Sequence, residues 1–515
     1  MPTDDSLWLS IPQFAEPGSP HAYADRESQL AALYRSLVEA GNQVRRGRIG
    51  VHIKHAVHGY VGVGKSALIL QALAMIRGEL SREGQRVALP ESLLEPIDPQ
   101  RWLILRLSGK RIADIPSLKD SIRDAIAEST DDASPESPGR NPLFRLVEDI
   151  VEAAEQQMPA ALQLPLVARL LRSERKLYGA VRDALAALAQ TLDVVERWYG
   201  ATVKEQSSAE SHQETASDLK ARIDGLIKGN GRFGDSAKSQ AALEAAAGIL
   251  SRRGESWRNA VSMERRWQVD ADIVTDALNN FFAATDRAQL PTILVLDDFD
   301  ELASSVGSEY ARRARILRLL LGSFNALRPT CLVIALRDEY MHEDVRRQYQ
   351  PTHIPSMTAL AGGRALEAWA EVQQPNLTAE QVQRLKQHGR SLVAAFADAE
   401  PVVVPQEYLQ AVVWLANRER SGDHADDLRA YVTERFNPVV VGALTRLAAN
   451  FDADGDDAKA CAAGHVLDLT GFGLSERERK ALKKDGLLRP ASAGEDDDVL
   501  GMVSPLAAYL WVARQ

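Results

Sequence analysis

Residues 59–66 have the residue types and the spacing of a loop that binds phosphate. The pattern G-x-x-x-x-G-K-[ST] is matched by Gly59, four further residues, Gly64, Lys65 and Ser66. Glycines let backbone N–H groups converge on phosphate oxygens, the lysine reaches the β- and γ-phosphates, and the serine hydroxyl is a ligand for Mg²⁺. We therefore predict a nucleotide–Mg²⁺ site. Its expected contact residues are Gly59, Tyr60, Val61, Gly62, Val63, Gly64, Lys65, Ser66 and Ala67.

The segments on either side of this loop supply the setting that a phosphate-binding loop (P-loop) needs. The preceding "IGVHIKHAV" is apolar and β-branched, which predicts a strand. Residues 66 to about 80 predict a helix whose positive N-terminus points at the same anion. A chance glycine-rich turn, the alternative, requires neither element, so the setting favours nucleotide binding.

A second segment, "PTILVLDDFDEL", contains the carboxylates that hydrolysis of a nucleotide needs. Residues 293–296 form a short apolar run, which predicts a parallel strand buried on both faces. We expect Asp297 to hold Mg²⁺ and Asp298 to orient the attacking water, with Asp300 and Glu301 as substitutes for Asp298. The alternative is an acidic turn whose aspartates only cap a helix.

A further apolar run, "TCLVIALRDEY", predicts another buried strand that ends at Arg337. At this strand end an arginine would lie beside the γ-phosphate and could sense it. We therefore predict Arg337 as a catalytic residue together with Lys65 and Asp298. In the alternative interpretation, Arg337 pairs with Asp338 or Glu339 at the surface.

Together these motifs resemble the AAA+ and STAND ATPases of the additional-strand P-loop class. The start of a helix at Arg26 and Glu27, in "YADRESQLAALYRSL", resembles the segment that packs near adenine in origin-recognition-type members. The segments "DDFDEL" and "ALRDEY" also resemble KAP-type NTPases, which carry long insertions between the two halves of the nucleotide site. The resemblance implies that the nucleotide is ATP.

The resemblance also implies a homo-oligomer, because family members often supply an arginine to the γ-phosphate of a neighbouring subunit. The candidates for such a finger are Arg346, Arg347, Arg312 and Arg313, and for each of them a solvated helix charge is the favoured alternative. In origin-recognition relatives a basic residue of the lid helix touches the nucleotide after an Asn-Pro or Gly-Pro turn. Here Val439 stands at that place and Arg446 lies further along, so a second sensor is in doubt.

The fold class expected is α/β, with a P-loop core interrupted by a long insertion. We divide the chain into a first half of the core (1–128), a helical insertion (129–288), a second half of the core (289–360), a helical lid (361–455) and a winged-helix domain (456–515). The insertion is rich in Ala, Leu, Glu and Arg. It forms either a hairpin packed on its own domain or an arm for partner contact and oligomerisation.

The C-terminal region predicts a basic helix followed by two strands and an acidic wing at 495–498. The helix carries cations that could meet DNA phosphates, namely Arg477, Arg479, Lys480, Lys483 and Lys484. The acidic wing would repel DNA, and residues 473–515 contain seven basic and seven acidic residues. DNA and a protein therefore both remain as partners for this domain.

The overall composition is that of an ordinary globular protein of several domains, with 515 residues and 26% charged residues. We expect no membrane span and no signal peptide, because the chain has no apolar run of eighteen residues and no basic start. Two cysteines fit a reducing cytoplasm. The net charge of −10 argues against broad, non-specific binding of nucleic acid but leaves room for a local basic patch.

Three further motifs are interpreted as coincidences. The sequence "GNGRFG" at 229–234 follows no buried strand, and "DADGDD" at 452–457 lacks the glutamate that closes a Ca²⁺ loop. His52, His55 and His58 suggest a metal cluster. On a strand, however, side chains alternate, so His55 faces away from the other two.

These features predict an ATP-binding and ATP-hydrolysing switch. One class of function is an ATPase that remodels or assembles a complex on DNA, of origin, transposition or phage-defence type. The other is a signalling ATPase whose nucleotide-driven oligomerisation recruits a protein effector. Slow or absent hydrolysis is a third possibility, because Asp298 replaces the glutamate usual in AAA+ motors.

Overall fold

The structure is a computed structural model of the chain. It describes residues 26–60, 62–77, 102–108, 150–154, 157, 181, 183–186, 188, 263–298, 321–322, 324–373, 378–394, 402–417, 424–451, 473–485, 487–490, 500–502 and 506. Most of the predicted insertion, the "GNGRFG" and "DADGDD" motifs and the acidic wing lie outside these residues.

A five-stranded parallel sheet organises the nucleotide half of the chain. Its strands are β1 (Ile53–Gly59), β2 (Leu103–Ser108), β3 (Thr292–Asp297), β4 (Cys331–Leu336) and β5 (Gln350–Ile354). Their spatial order is β2-β3-β4-β1-β5. The strand β4 therefore lies between the P-loop strand and the acidic strand, which fits an additional-strand P-loop fold.

The register of the sheet fixes which strand ends become neighbours. His58 of β1 lies opposite Leu336 of β4 and opposite His353 of β5. On the other side, Ser108 of β2 lies opposite Asp297 of β3. Because all these pairs are parallel, the carboxyl ends of the strands meet at one edge, where ligands bind in open α/β sheets. The core strands β3 and β4 are buried at every position, as their continuous apolar runs predict.

Long helices lie beside this sheet within the described residues. Helix α1 (Glu27–Arg45) packs on α2 (Lys65–Ile76), which begins in the P-loop, and α3 (Met263–Arg287) leads into β3. The apolar side chains of α1 and α2 form one core with those of the sheet. Within the described residues, no helix combines the length and the apolarity that crossing a bilayer requires.

A second hydrophobic core lies among the helices that follow the sheet. After the short helix α4 (Glu343–Gln348) and β5, the chain forms a two-stranded antiparallel sheet from β6 (Met357–Thr358) and β7 (Val402–Val403). The helices of this region are α5 (Ala359–Gln373), α6 (Ala379–Ala394), α7 (Pro405–Ala416), α8 (His424–Arg435) and α9 (Pro438–Asn450). We call residues 357–451 the helical lid.

The C-terminal elements share the core of the helical lid. Helix α10 (Glu476–Lys484) is followed by β8 (Leu488–Pro490) and β9 (Leu500–Met502), which pair antiparallel. Ser475 and Glu478 cap the helix reciprocally, with the Ser475 N–H donating to Glu478 Oε2 at 2.8 Å and the Glu478 N–H donating to Ser475 Oγ at 3.3 Å. A winged helix contains elements of this kind, and the assignment stays a prediction.

Close packing of helices in the lid depends on Gly389 of α6. A Cβ at this position would overlap Leu366 Cδ2 and would lie 3.1 Å from the Tyr408 hydroxyl oxygen. The same hydroxyl donates a hydrogen bond to the Gly389 carbonyl at 2.9 Å, so α5, α6 and α7 meet at this glycine.

We predict that Gly389→Ala lowers the free energy of unfolding by about 1–3 kcal/mol, because the added methyl group overpacks the core of the helical lid. The matched control is Gly442→Ala in α9, where a Cβ meets nothing within 4 Å. This control should raise the stability by about 0.5–1 kcal/mol through helix propensity. Urea unfolding of both variants checks the prediction, and equal effects of the two would contradict it.

Candidate nucleotide site

The P-loop connects β1 to α2 and requires glycine at several positions. A Cβ at Gly59 would overlap the Ile354 carbonyl oxygen of β5, so no larger residue fits there. Gly64 caps α2 with a φ of 98°, in the left-handed region that glycine adopts without strain. Val63 is buried in the core, and Val61 lies outside the described residues.

Lys65 is folded back onto the loop. Its Nζ donates to the Gly59 carbonyl at 3.1 Å and to the Tyr60 carbonyl at 2.8 Å. The ammonium group therefore lies at the loop's own backbone, which is where a phosphate-binding lysine is needed. A bound phosphate would offer this cation a charged acceptor in place of neutral carbonyls.

The two halves of the predicted Mg²⁺ site are in contact. The Ser66 hydroxyl donates to Asp297 Oδ1 at 2.7 Å, although the two residues are 231 positions apart in the chain. Neighbouring ligands of an octahedral Mg²⁺ ion lie roughly 2.9 Å apart, given metal–oxygen distances of about 2.0–2.1 Å. The residues present therefore fit the metal that the sequence predicts.

Asp297 is fully buried and its negative charge is balanced by Arg106 of β2. Arg106 donates to Asp297 Oδ2 at 2.6 Å, while Ser66 uses the other carboxylate oxygen. A buried carboxylate needs such partners because desolvation of an unpaired charge is costly. The sequence analysis missed Arg106. The local signal was a charged residue inside the strand "LILRLS", and this signal does not identify the partner of the arginine.

Asp298 leaves the sheet in an unusual backbone conformation. Its φ is 51°, and its N–H donates to Asp297 Oδ1 at 3.1 Å. Aspartate tolerates the left-handed region better than most residues do, and such conformations cluster at functional sites. The two substitutes, Asp300 and Glu301, lie outside the described residues, so Asp298 is the described carboxylate nearest in sequence to Asp297.

Arg337 follows directly after β4, the strand next to the P-loop strand. Its backbone is extended, and a short 3₁₀ turn (Asp338–Tyr340) begins immediately after it. Since Leu336 lies opposite His58, Arg337 leaves the sheet beside Gly59. Asp338, one of the two acids considered as its partner, is contacted by His58 Nδ1 at 2.7 Å and by His353 Nε2 at 3.8 Å.

The other arginines considered for nucleotide contact have different surroundings. Arg346 and Arg347 are exposed on α4, and Arg347 pairs with Glu343 of the same helix at 2.5 Å. Arg312 and Arg313 lie outside the described residues. Arg446 contacts Glu478 of α10 at 3.2 Å, and the N-terminus of α9, with Val439, is capped by Asn437. The arginine of α9 is thus engaged with the C-terminal elements.

Arg26, at the start of α1, ties that helix to the sheet. It is almost completely buried and donates to the Pro355 carbonyl just after β5, whereas the neighbouring Glu27 is exposed. Arg26 therefore holds α1 against the edge of the sheet that contains the P-loop.

The helical lid touches the P-loop through the start of α7. The Gln406 N–H donates to the Gly62 carbonyl at 3.2 Å. A Cβ at Gly62 would lie 2.8 Å from Gln406 Oε1 and 3.0 Å from Val404 Cγ1, and Gly62 has a φ of 78°. Sequence reasoning missed this contact, since nothing in the segment "VVVPQEY" marks it as a neighbour of the loop.

The sheet order, the P-loop at the end of β1 and the Ser66–Asp297 contact define an α/β fold of the P-loop NTPase type. No protein-family model and no curated protein matches the chain. Among solved structures, the chain is similar to the Aeropyrum pernix ORC2 protein in its ADPNP–ADP complexes, at 12% identity and a TM-score of 0.35. The alignment covers 98% of this chain and 96% of that one. A similarity this weak supports no inference about the chain. The assignment to the P-loop NTPase type of fold rests on the sheet order and the contacts described above.

Next to the contact between lid and loop lies a half-buried acid, Glu407. Its Oε1 is enclosed and has no hydrogen-bond partner among the residues that the structure describes. Burial raises the pKa of Glu407 to about 7, although the positive charge of Arg435 acts in the opposite direction. The folded lid therefore favours the protonated carboxyl.

We predict that this acid makes the stability of the protein depend on pH. Its pKa of about 7 in the folded state exceeds the ordinary value of 4.5, so the folded state binds the proton more tightly than the unfolded state does. The free energy of unfolding should fall as the pH rises between these two values, and the loss should be complete above the higher one. Glu407→Gln should flatten this dependence in urea unfolding. Glu380→Gln, an exposed acid in the first turn of α6, should leave it unchanged.

Proposed function

We propose that the chain is a Mg²⁺-dependent ATP-binding switch that hydrolyses ATP. The observation that carries the proposal is the 2.7 Å hydrogen bond between Ser66 of the P-loop and Asp297 of the acidic strand. It brings together the two residues that the sequence assigns to the metal, from segments that are far apart in the chain. A structural role alone would not explain why a P-loop serine meets a buried acid at the ligand-binding edge of a parallel sheet.

Each residue of the site has a role in this proposal. Lys65 exchanges its carbonyl partners for the β- and γ-phosphates, and Ser66 and Asp297 hold Mg²⁺. When bound, Mg²⁺ neutralises charge on the phosphate oxygens. Asp298 orients the attacking water from its position directly after the strand. Arg337 lies at the end of the neighbouring strand, where it detects the γ-phosphate.

The contact between Gly62 and Gln406 supports a switch that acts through the lid. ATP must approach the backbone of the P-loop. The Gly62 carbonyl of this backbone accepts a hydrogen bond from the Gln406 N–H. Binding and hydrolysis therefore alter the surroundings of the start of α7, and this helix belongs to the core of the lid. In this proposal the nucleotide state biases the lid between two positions.

We predict that Asp298→Asn lowers the rate of ATP hydrolysis by roughly 10²–10⁴-fold, the size of a general-base contribution, with little change in ATP affinity. Asparagine keeps the tolerance for a positive φ, so the backbone should be preserved. Lys65→Ala should weaken ATP binding at least about tenfold, because it removes a charge-assisted hydrogen bond. Steady-state hydrolysis and fluorescent-nucleotide titration measure the two effects.

The control for the aspartate is Asp426→Asn, an exposed carboxylate on α8. For the lysine it is Lys480→Ala, which is exposed on α10. Both controls should hydrolyse ATP at the wild-type rate. An Asp298→Asn variant with undiminished hydrolysis would remove Asp298 from the proposal. Tight binding of ATP to the wild type without any turnover would reduce the proposed function to a nucleotide-binding switch.

As the action of the switch, we propose that it remodels or assembles a complex on DNA, with α10 as the DNA contact. The second candidate is recruitment of a protein effector after nucleotide-driven oligomerisation. One observation favours the second candidate. Two acids of α10 pair with cations that would otherwise be available to DNA phosphates. Glu476 pairs with Lys480 of the same helix at 2.8 Å, and Glu478 pairs with Arg446 of α9.

Hydrolysis measured with and without duplex DNA separates these two candidates. For the DNA-associated ATPase we expect DNA to raise the rate, the effect to weaken as the salt concentration rises, and Lys483→Glu with Lys484→Glu to abolish it. A rate that ignores DNA, combined with ATP-dependent oligomerisation in light scattering, would instead support recruitment of a protein. The control is the double variant Arg46→Glu and Arg48→Glu, which reverses the same amount of charge at exposed positions just after α1.

A further inference from the structure

Two histidines and an aspartate meet at the edge of the sheet where the P-loop begins. They are His58 at the end of β1, Asp338 after β4 and His353 in β5. Among the His, Cys, Asp and Glu side chains that the structure describes, these three form a group compact enough to hold a metal ion. Its possible ligand atoms all lie within 4.8 Å of one another.

The sheet itself places these residues together. His58 and His353 are direct partners in the parallel pair of β1 and β5, so their side chains project from the same face of the sheet. Their ring centroids lie 5.0 Å apart. His58 also lies opposite Leu336 of β4, and Asp338 follows two residues later. Three separate segments thus contribute one ligand group each.

The earlier motif of three histidines is not the source of this cluster. The prediction that His55 faces away from His58 is confirmed, because His55 Nε2 contacts Ser36 Oγ of α1 at 2.8 Å. His52 Nδ1 contacts the Pro329 carbonyl at 3.0 Å. Of the three, only His58 takes part, and its partners come from other strands.

The distances fit a metal ion bound by nitrogen and oxygen atoms. Zinc lies about 2.0–2.2 Å from such ligands, so two ligands of a tetrahedral site are roughly 3.3–3.5 Å apart. Here His58 Nδ1 lies 2.7 Å from Asp338 Oδ1 and His353 Nε2 lies 3.8 Å from Asp338 Oδ2, and these two distances bracket the required separation. To bind an ion, the His58–Asp338 pair would open slightly and the half-exposed His353 ring would move closer to the carboxylate.

The charges in the cluster also suit a dication. Burial acts to raise the pKa of Asp338, but its interactions with His353 and His58 outweigh burial and hold this pKa well below its usual range. An aspartate carboxylate has an ordinary pKa of about 3.9, so at neutral pH it supplies a negative charge to a dication. Each of the two imidazoles can offer a ring-nitrogen lone pair to one cation.

The cluster is open to solvent on one side. The side chains of His58 and Asp338 are 11% and 20% exposed, whereas that of His353 is 53% exposed. An ion can therefore enter past His353, and water can fill the remaining coordination position.

We propose that His58, Asp338 and His353 form a binding site for a transition-metal dication of the zinc type, separate from the nucleotide's Mg²⁺. Imidazole ligands select such metals over Mg²⁺, which prefers oxygen. The bound ion links the ends of β1, β4 and β5. It thereby fixes the point at which Arg337 leaves the sheet beside Gly59.

The test is a titration of the full-length chain, without an affinity tag and after treatment with a chelator, with Co²⁺ and Zn²⁺. Visible absorption reports the coordination of Co²⁺, and calorimetry gives the affinity for Zn²⁺. Millimolar Mg²⁺ is present throughout to occupy oxygen sites, and nucleotide is omitted, so the result does not depend on ATP binding. We expect about one ion per chain.

The variants are His353→Gln, chosen because this side chain is half exposed, and Asp338→Asn. Each should weaken the binding of Zn²⁺ at least about tenfold and lower the intensity of the Co²⁺ bands. The matched control, His52→Gln, removes an imidazole outside the cluster and should bind like the wild type. Circular dichroism verifies that each variant is folded.

Two results would overturn the proposal. If the wild type binds neither Co²⁺ nor Zn²⁺, the cluster is an ion pair and nothing more. If both ligand variants retain wild-type affinity, the ion is held elsewhere in the chain. Loss of binding in His353→Gln and Asp338→Asn, with binding retained in His52→Gln, establishes the site.

Discussion

The parallel pairing of the five strands is the constraint on which the rest of the structure depends. Parallel strands place all their carboxyl ends at one edge, and the register then decides which residues become neighbours. His58 opposite Leu336 sets Gly59 beside Arg337, and Ser108 opposite Asp297 sets β2 beside the acidic strand. A slip of one residue in any pair would turn the side chains of that strand to the other face and dismantle the edge.

The buried charge of Asp297 imposes a second constraint on how the site is assembled. Its carboxylate is fully buried and is contacted by the Ser66 hydroxyl, the Asp298 N–H and the Arg106 guanidinium. The Ser66 hydroxyl belongs to the P-loop, the Asp298 N–H follows the acidic strand β3, and the Arg106 guanidinium belongs to β2, the strand beside β3. Because an unpaired buried carboxylate is so unfavourable, the three elements must be assembled correctly for any one of them to be stable. The positive φ of Asp298 is a local cost that this assembly enforces.

The sequence predicted what local patterns determine and missed what depends on register. The apolar runs located β1, β3 and β4, and the glycine spacing located the P-loop to within a residue of where α2 begins. Arg106 and His353 could not be assigned from local pattern, because their partners lie on neighbouring strands that are distant in the chain. For the same reason Gln406 was missed, since contact between the lid and the loop follows from tertiary packing. The insertion, the finger arginines and the acidic wing remain predictions.

The core shared by the lid and the C-terminal elements has a mechanical consequence. Leu474, Leu482, Leu487 and Leu506 are buried in the same cluster as the side chains of α7, α8 and α9. Protein interiors are close-packed and transmit strain, so these elements move together rather than about a joint. Force applied at α10 would reach Gln406 and the carbonyl of Gly62 without passing through the sheet. The C-terminal elements therefore act as a lever: movement of a partner bound to them is transmitted through the lid core to the P-loop.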